Sequence, residues 1–224
     1  MPTPWVGSVR NRKKLFVFAH QSVSESGGFW TGVLKQAIDA FNSLRLRVTM
    51  ETSQDPPDRN GPGGADVQFE AASGPVSVTF SGTGSIKRFS NTVDPISTEG
   101  AAVLIPEAGE IIKCFIFVPS IPKIGGVTSR GVDNPVKLWI AVHELIHAAG
   151  GLDNSDHSPE NNPDVFLGFP SLSEGTNDPK TGKRELDGIV LKKSAAGRQA
   201  VVSRPPPIPL SAATAGKINQ IWPP

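Results

Sequence analysis

The chain has no tyrosine, one cysteine and two methionines among its 224 residues, and no long hydrophobic run. A lone cysteine, Cys114, excludes an intramolecular disulfide framework and leaves the redox compartment open. It sits in Ile111-Ile112-Lys113-Cys114-Phe115-Ile116-Phe117-Val118, an apolar stretch of buried-strand type, so core filling is expected of it rather than nucleophilic attack. No apolar stretch nears the roughly 18 residues that a membrane span needs. The first residues also lack the apolar centre of a signal peptide, so a soluble protein with no membrane partner is expected. Neither sign of charge dominates: 22 basic residues face 21 acidic ones, for a net charge of +1. That balance argues against a nucleic-acid partner or a strongly acidic one. The basic cluster Arg10-Asn11-Arg12-Lys13-Lys14 is most simply a solvated entry to a strand.

What is present suits an α+β fold in a single domain over residues 1–224. A hydrophobic fraction of 38% over this length can bury a sizeable core, no composition shift divides the chain, and no internal repeat is visible. Period-two and apolar runs predict strands at Lys14–Ala19, Leu44–Thr49, near 65–71 and 75–81, and at 101–105 and 111–118, forming a mixed twisted sheet. A turn-rich loop, Asp55-Pro56-Pro57 to Gly63-Gly64, interrupts them. Val33, Leu34, Ala37, Ile38 and Phe41 recur at helical spacing and predict a first helix from Gly28 to Asn42. A last helix is expected from Ser211, a good N-cap, to Trp222. The glycine-rich stretch Ser81–Ser85 lacks the strand-to-helix context of a phosphate loop and marks a turn. Pro205-Pro206-Pro207 is expected to be a stiff linker rather than a polyproline ligand for a partner.

Chemistry concentrates in His143-Glu144-Leu145-Ile146-His147. On a helix, a spacing of four residues puts two side chains on one face, about 6 Å apart at Cβ, so both imidazoles can close on one metal ion. Glu144 lies one position round from His143, where it can hydrogen-bond a water held by the metal instead of competing for the ion. Helix context is favourable. Asn134 is an N-cap type, Pro135 suits the first helical position, an apolar run follows, and Gly150-Gly151 ends it. Trp139, Ile140, Val142, Ile146 and Ala149 would bury the other sides, leaving the His143/His147 edge open. Two hydrogen-bonded core histidines are the plainer alternative, and the flanking signals favour the metal. A catalytic zinc needs a third protein ligand with a fourth position left for water, and the chain offers Asp153 and His157. His20 follows a predicted strand with no ligand-spaced partner, so a structural part is expected of it.

Here the sequence resembles the metzincin zinc metallopeptidases, in particular the matrixin-like group, whose signature extends HExxH to HExxHxxGxxH. Gly150 stands at the glycine position, and a strict count makes Asp153 the third ligand. A second alignment follows Gly151-Leu152 with a short insertion and then His157-Ser158, similar to the family's His-Ser ending, and makes His157 the third ligand. We favour His157, because neutral imidazole is the commoner third ligand for zinc. Asp153 or Asp156 is then a turn residue or an acceptor for a ligand N–H. The order of first helix, metal helix and closing helix also resembles the family. Two departures concern the subfamily more than zinc binding. The methionine that metzincins place in a turn beneath the metal is missing, since Met1 and Met50 lie far upstream, and Phe166, in Pro163–Gly168, is expected to supply an apolar floor instead. The tyrosine some members place near the metal is absent. The resemblance implies a Zn2+-dependent endopeptidase with peptide or protein substrates and Glu144 as general base, and the strand at Ala101–Ile105 as the edge along which a peptide lies. A binding protein that kept zinc and lost turnover is the alternative, and an intact Glu144 argues against it.

Overall fold

The computed structural model describes residues 2–81, 86–93, 100–122, 132, 134–158, 164–166, 170–173, 188–191, 200–202, 208 and 210–224. A five-stranded sheet organises them, with spatial order β2-β1-β3-β7-β6. Its strands are β1 (Lys14–Ala19), β2 (Thr49–Ser53), β3 (Val67–Ala72), β6 (Ala101–Glu107) and β7 (Glu110–Pro119). β1 runs parallel to β2 and β3, β3 runs parallel to β7, and β6 returns antiparallel to β7, so the sheet is mixed. Together with the helices, this is the α+β architecture expected from the sequence.

Strand β7 explains the layering, because its residues alternate between two cores. Cys114, Ile116 and Val118 join the larger core beneath helices α3 (Val33–Ser43) and α4 (Asn134–Gly150). Phe115 and Phe117 join a smaller core with Val78, Phe80 and Val93 of the antiparallel hairpin β4 (Gly74–Phe80) and β5 (Lys87–Val93). Short helices α1 (Gly7–Arg12) and α2 (Gln21–Ser24) flank β1, and α5 (Ala212–Ile221) packs on α4. Three further short strands, β8 (Pro170–Ser173), β9 (Gly188–Leu191) and β10 (Ala200–Val202), form a separate antiparallel sheet. Among the described residues no helix is long and apolar enough to cross a membrane.

Several boundaries differ from expectation for local reasons. The first long helix starts at Val33, because Gly27 and Gly32 take left-handed φ values of 78° and 75° and hold the preceding segment in turns. The strand expected at Leu44–Thr49 begins at Thr49: Arg45 has φ 55°, and Leu44, Leu46 and Val48 pack on the core as a connection. The basic cluster at Arg10–Lys14 is the end of α1, closed by left-handed Lys13, before it enters β1. β5, where no strand was expected, pairs with β4; residues 82–85, most of the stretch expected to turn, and the prolines at 205–207 lie outside the described residues. The region between α4 and α5, expected to be irregular, carries β8–β10.

A candidate metal centre on helix α4

Helix α4 is held by packing. Val136, Trp139, Ile140, Val142, Leu145 and Ile146 are all 0% exposed. Each such side chain contributes roughly 1.5–3 kcal/mol on burial, against about 1 kcal/mol for a good N-cap, so its apolar faces fix the helix and the capping detail matters less. The helix spans Asn134–Gly150, which puts Asn134 inside it rather than at the cap. His143 and His147 are each only 5% exposed. The edge expected to be open is thus nearly closed, by the very groups that complete the site.

Gly150 ends the helix, but the residue that turns the chain is Gly151, with φ 55°. A Cβ there would collide with the Thr3 carbonyl, so the position requires glycine on two counts. The pivot thus sits one residue beyond the family's glycine position, Gly150. The carbonyls left over at the helix end are then accounted for. Leu152 N–H donates to His147 O at 3.2 Å, and Thr3 N–H donates to Gly151 O at 3.1 Å. The indole N–H groups of Trp5 and Trp222 donate to Ala148 O and Ala149 O, each at 2.8 Å. Both ends of the described chain therefore fasten the turn that carries His147. Trp5→Phe leaves the buried Ala148 carbonyl without its donor and is expected to destabilise the protein by about 1–3 kcal/mol. Urea unfolding with an unchanged midpoint would refute the importance of that bond.

Three histidines converge beyond this turn. His143 Nδ1 donates to Val165 O at 2.9 Å, and His147 Nδ1 donates to Leu152 O at 2.9 Å. A carbonyl only accepts, so both Nδ1 atoms carry the proton and both Nε2 atoms present lone pairs. His157 Nε2 lies 3.2 Å from His143 Nε2 and 3.1 Å from His147 Nε2. One N–H on His157 cannot serve two lone pairs well at once. A cation among the three nitrogens serves all of them: metal–nitrogen bonds of about 2.0–2.1 Å in a tetrahedral site set nitrogen–nitrogen edges of about 3.3–3.4 Å. His143, His147 and His157 are close enough to hold a metal ion, and the donor set fits one.

Phe166 is the floor. Its ring, 0% exposed, lies 5.2, 4.7 and 4.8 Å from the rings of His143, His147 and His157. Trp139, also fully buried, packs at 5.2 Å against His143. The rest of the expected turn, Pro163 and Leu167–Gly168, lies outside the described residues. Asp153, the competing ligand candidate, is spent elsewhere. Its carboxylate accepts from Ser155 N–H at 2.7 Å and from the Ser155 hydroxyl, capping a 3₁₀ turn at Asn154–Asp156, and those bonds hold its pKa below the usual value. Asp156 completes the capping box and receives Lys217 Nζ at 3.4 Å. His20 caps α2 through its ring and belongs to no metal-ligand group among the described residues. Cys114 is fully buried, and burial, with Glu144 nearby, pushes its thiol pKa up, so it stays protonated as core filler.

Glu144 is 3% exposed and lies against Gly100, the residue just before β6. A Cβ at Gly100 would collide with Glu144 Oε1, so glycine lets backbone approach the carboxylate. Sequence reasoning overlooked Gly100, Trp5, Trp222 and Asp164, because each acts through a partner more than twenty residues away. The buried Asp164 carboxylate accepts Phe166 N–H at 2.8 Å, Ser211 N–H at 2.8 Å and the Thr214 hydroxyl at 2.8 Å. Burial alone would raise its pKa; the hydrogen bonds from Ser211 and Thr214 outweigh that and lower it.

Burial holds the His143 pKa well below its ordinary value, with His147 and His157 adding to the effect. Burial likewise lowers His147 from 6.5 to about 4, against the opposing Leu152 acceptor. Both rings are therefore neutral at pH 7, as ligation requires. For the metal-free protein the sign follows from linkage. A folded-state pKa below the unfolded value means that the unfolded chain takes up protons first as pH falls, so stability is flat above about 6.5 and declines from 6.5 toward about 4. Thermal melting of chelator-treated protein across that window measures it; a constant melting temperature would contradict the burial of these imidazoles.

A scan against protein-family models and a search of curated proteins returned no match.

Proposed function

We propose that the protein is a zinc-dependent endopeptidase in which His143, His147 and His157 hold the metal and Glu144 is the general base. The observation that carries the reading is the convergence of three Nε2 atoms on one helix edge and its following loop, with a buried carboxylate next to the first ligand. Zinc held there supplies Lewis acidity, which makes water a usable nucleophile near neutral pH and polarises a peptide carbonyl. The chain's own groups do the rest. Val165 O and Leu152 O hold two ligand rings in the tautomer that exposes Nε2. Glu144 accepts the proton of the attacking water at a carboxylate oxygen and passes it to the leaving amine. Phe166 and Trp139 exclude water from beneath the imidazoles.

Placement of the sheet edge supports a peptide substrate. β6 is the terminal strand of the five-stranded sheet, and Gly100, which leads into it, touches Glu144. An extended peptide pairing with β6 through backbone hydrogen bonds would pass beside the general base, and such pairing tolerates varied side chains. The likeness to metzincins, matrixin-like in motif, is part of the same proposal. Purified protein is expected to carry about one zinc per chain after reconstitution. It is expected to cleave a denatured protein in a chelator-sensitive manner. Absence of metal by elemental analysis sinks the proposal at its root, whereas one tightly held zinc without cleavage of any unfolded substrate favours a binding protein that has lost turnover.

A further inference from the structure

Asp164 has a job that the ligand set alone does not explain. It is 3% exposed, and its two oxygens take different partners. Oδ1 accepts Phe166 N–H at 2.8 Å, which fixes the tight turn Asp164–Phe166. Oδ2 accepts Ser211 N–H and Thr214 Oγ1–H, both at 2.8 Å, at the start of α5. Ser211 is itself the N-cap of that helix, its hydroxyl accepting Thr214 N–H at 3.1 Å. One carboxylate thus joins the turn to the first turn of a helix nearly fifty residues away in sequence.

That turn touches all three histidines. Val165 O accepts a hydrogen bond from His143 Nδ1–H at 2.9 Å. Phe166 O accepts Ser158 N–H at 2.8 Å, which anchors the residue following His157. The Phe166 ring packs under the three imidazoles at 4.7–5.2 Å. Helix α5 is a firm base for this connection, because Ile218 and Trp222 are buried in the main core and Trp222 bonds α4 at Ala149. Lys217, on the same helix, donates to Asp156 O at 2.7 Å, just ahead of His157.

We propose that Asp164 is a positioning residue for the metal centre: it registers α5 against the turn at Val165–Phe166 and so presets the orientation of His143 and the approach of His157. This rests on the metal reading of the three histidines and does not require peptidase activity. A carboxylate suits the post because it accepts at both oxygens. An amide of the same shape can accept at only one, so Asp164→Asn must give up either the turn or the helix.

Cobalt(II) and zinc are the probes. In Asp164→Asn, zinc affinity measured against a chromophoric chelator is expected to fall about 10- to 100-fold, the usual consequence of losing a partner that orients a ligand. The visible absorption bands of the cobalt-loaded variant are expected to shift, reporting altered ligand geometry, which a general loss of stability would not move. Thr214→Val, which removes one bond to Oδ2 and keeps the side-chain shape, is expected to lower affinity in the same direction by about fivefold. Asp164→Glu, which restores two accepting oxygens, is expected to recover part of the affinity. Unchanged zinc affinity and an unchanged cobalt spectrum in both Asp164→Asn and Thr214→Val would overturn the proposal even if the variants melt earlier. Failure of the unsubstituted protein to bind either metal would overturn the metal reading, and this inference with it; metal binding without peptide cleavage would leave this inference standing and remove only the peptidase.

Discussion

Glu144→Gln, loaded with zinc, is expected to retain about one metal per chain and to lose hydrolysis by about 100-fold or more. Glutamine has the shape of glutamate, so it can occupy the same space beside Gly100 and leave the packing of α4 intact. None of the three converging nitrogens belongs to it. What it lacks is a site to accept the proton of the attacking water, and a positioned general base typically contributes 10²–10⁴-fold. A parallel loss of kcat and kcat/KM with little change in KM would place the missing interaction in the transition state. Loss of zinc in this variant, or cleavage at the original rate, would remove Glu144 from the role. Gly100→Ala offers a sharp companion, since the added methyl must displace the carboxylate without changing any titratable group.

How much of this could be read in the chain depended on how far apart the interacting residues lie. His143, Glu144 and His147 are set by a single helix turn, and the apolar periodicity around them already encodes the buried faces. Strands β1, β3, β6 and β7 were legible for the same reason, as local runs of apolar and β-branched residues. The choice of Gly151 over Gly150 as pivot was hidden, because two adjacent glycines have equal freedom and the decision falls to the Thr3 backbone lying against one of them. Nothing in the sequence around Asp164 marks its role; only the fold brings Ser211 and Thr214 to it. Trp222 was visible only as the end of the last expected helix and Trp5 not at all; their indole N–H groups became meaningful once α4 presented its final carbonyls. Strand β5, mostly exposed and with few large apolar residues, gains its place by pairing with β4.

His157→Ala is expected to weaken zinc binding far beyond the roughly 100-fold limit typical of an outer partner, whereas Asp153→Ala is expected to stay within it. The geometry behind the contrast is specific. His157 Nε2 stands 3.1 and 3.2 Å from the other two ligand nitrogens, so its removal leaves two imidazoles on one helix face and opens the third corner of the site to water. Asp153 points its carboxylate at Ser155 and shapes the 3₁₀ turn that delivers His157. Losing that cap costs about 1 kcal/mol of local order, which corresponds to roughly a fivefold effect on a ligand whose position depends on it. The insertion after Gly151 is what separates the two outcomes. With the pivot one residue late, Asp153 stands at the start of the capped turn with its carboxylate bonded to Ser155, and that turn carries the chain on to His157. Competition titrations on the two single variants decide the matter: if Asp153→Ala releases zinc while His157→Ala holds it, the ligand set is His143, His147 and Asp153, and the capped turn must rearrange when metal binds.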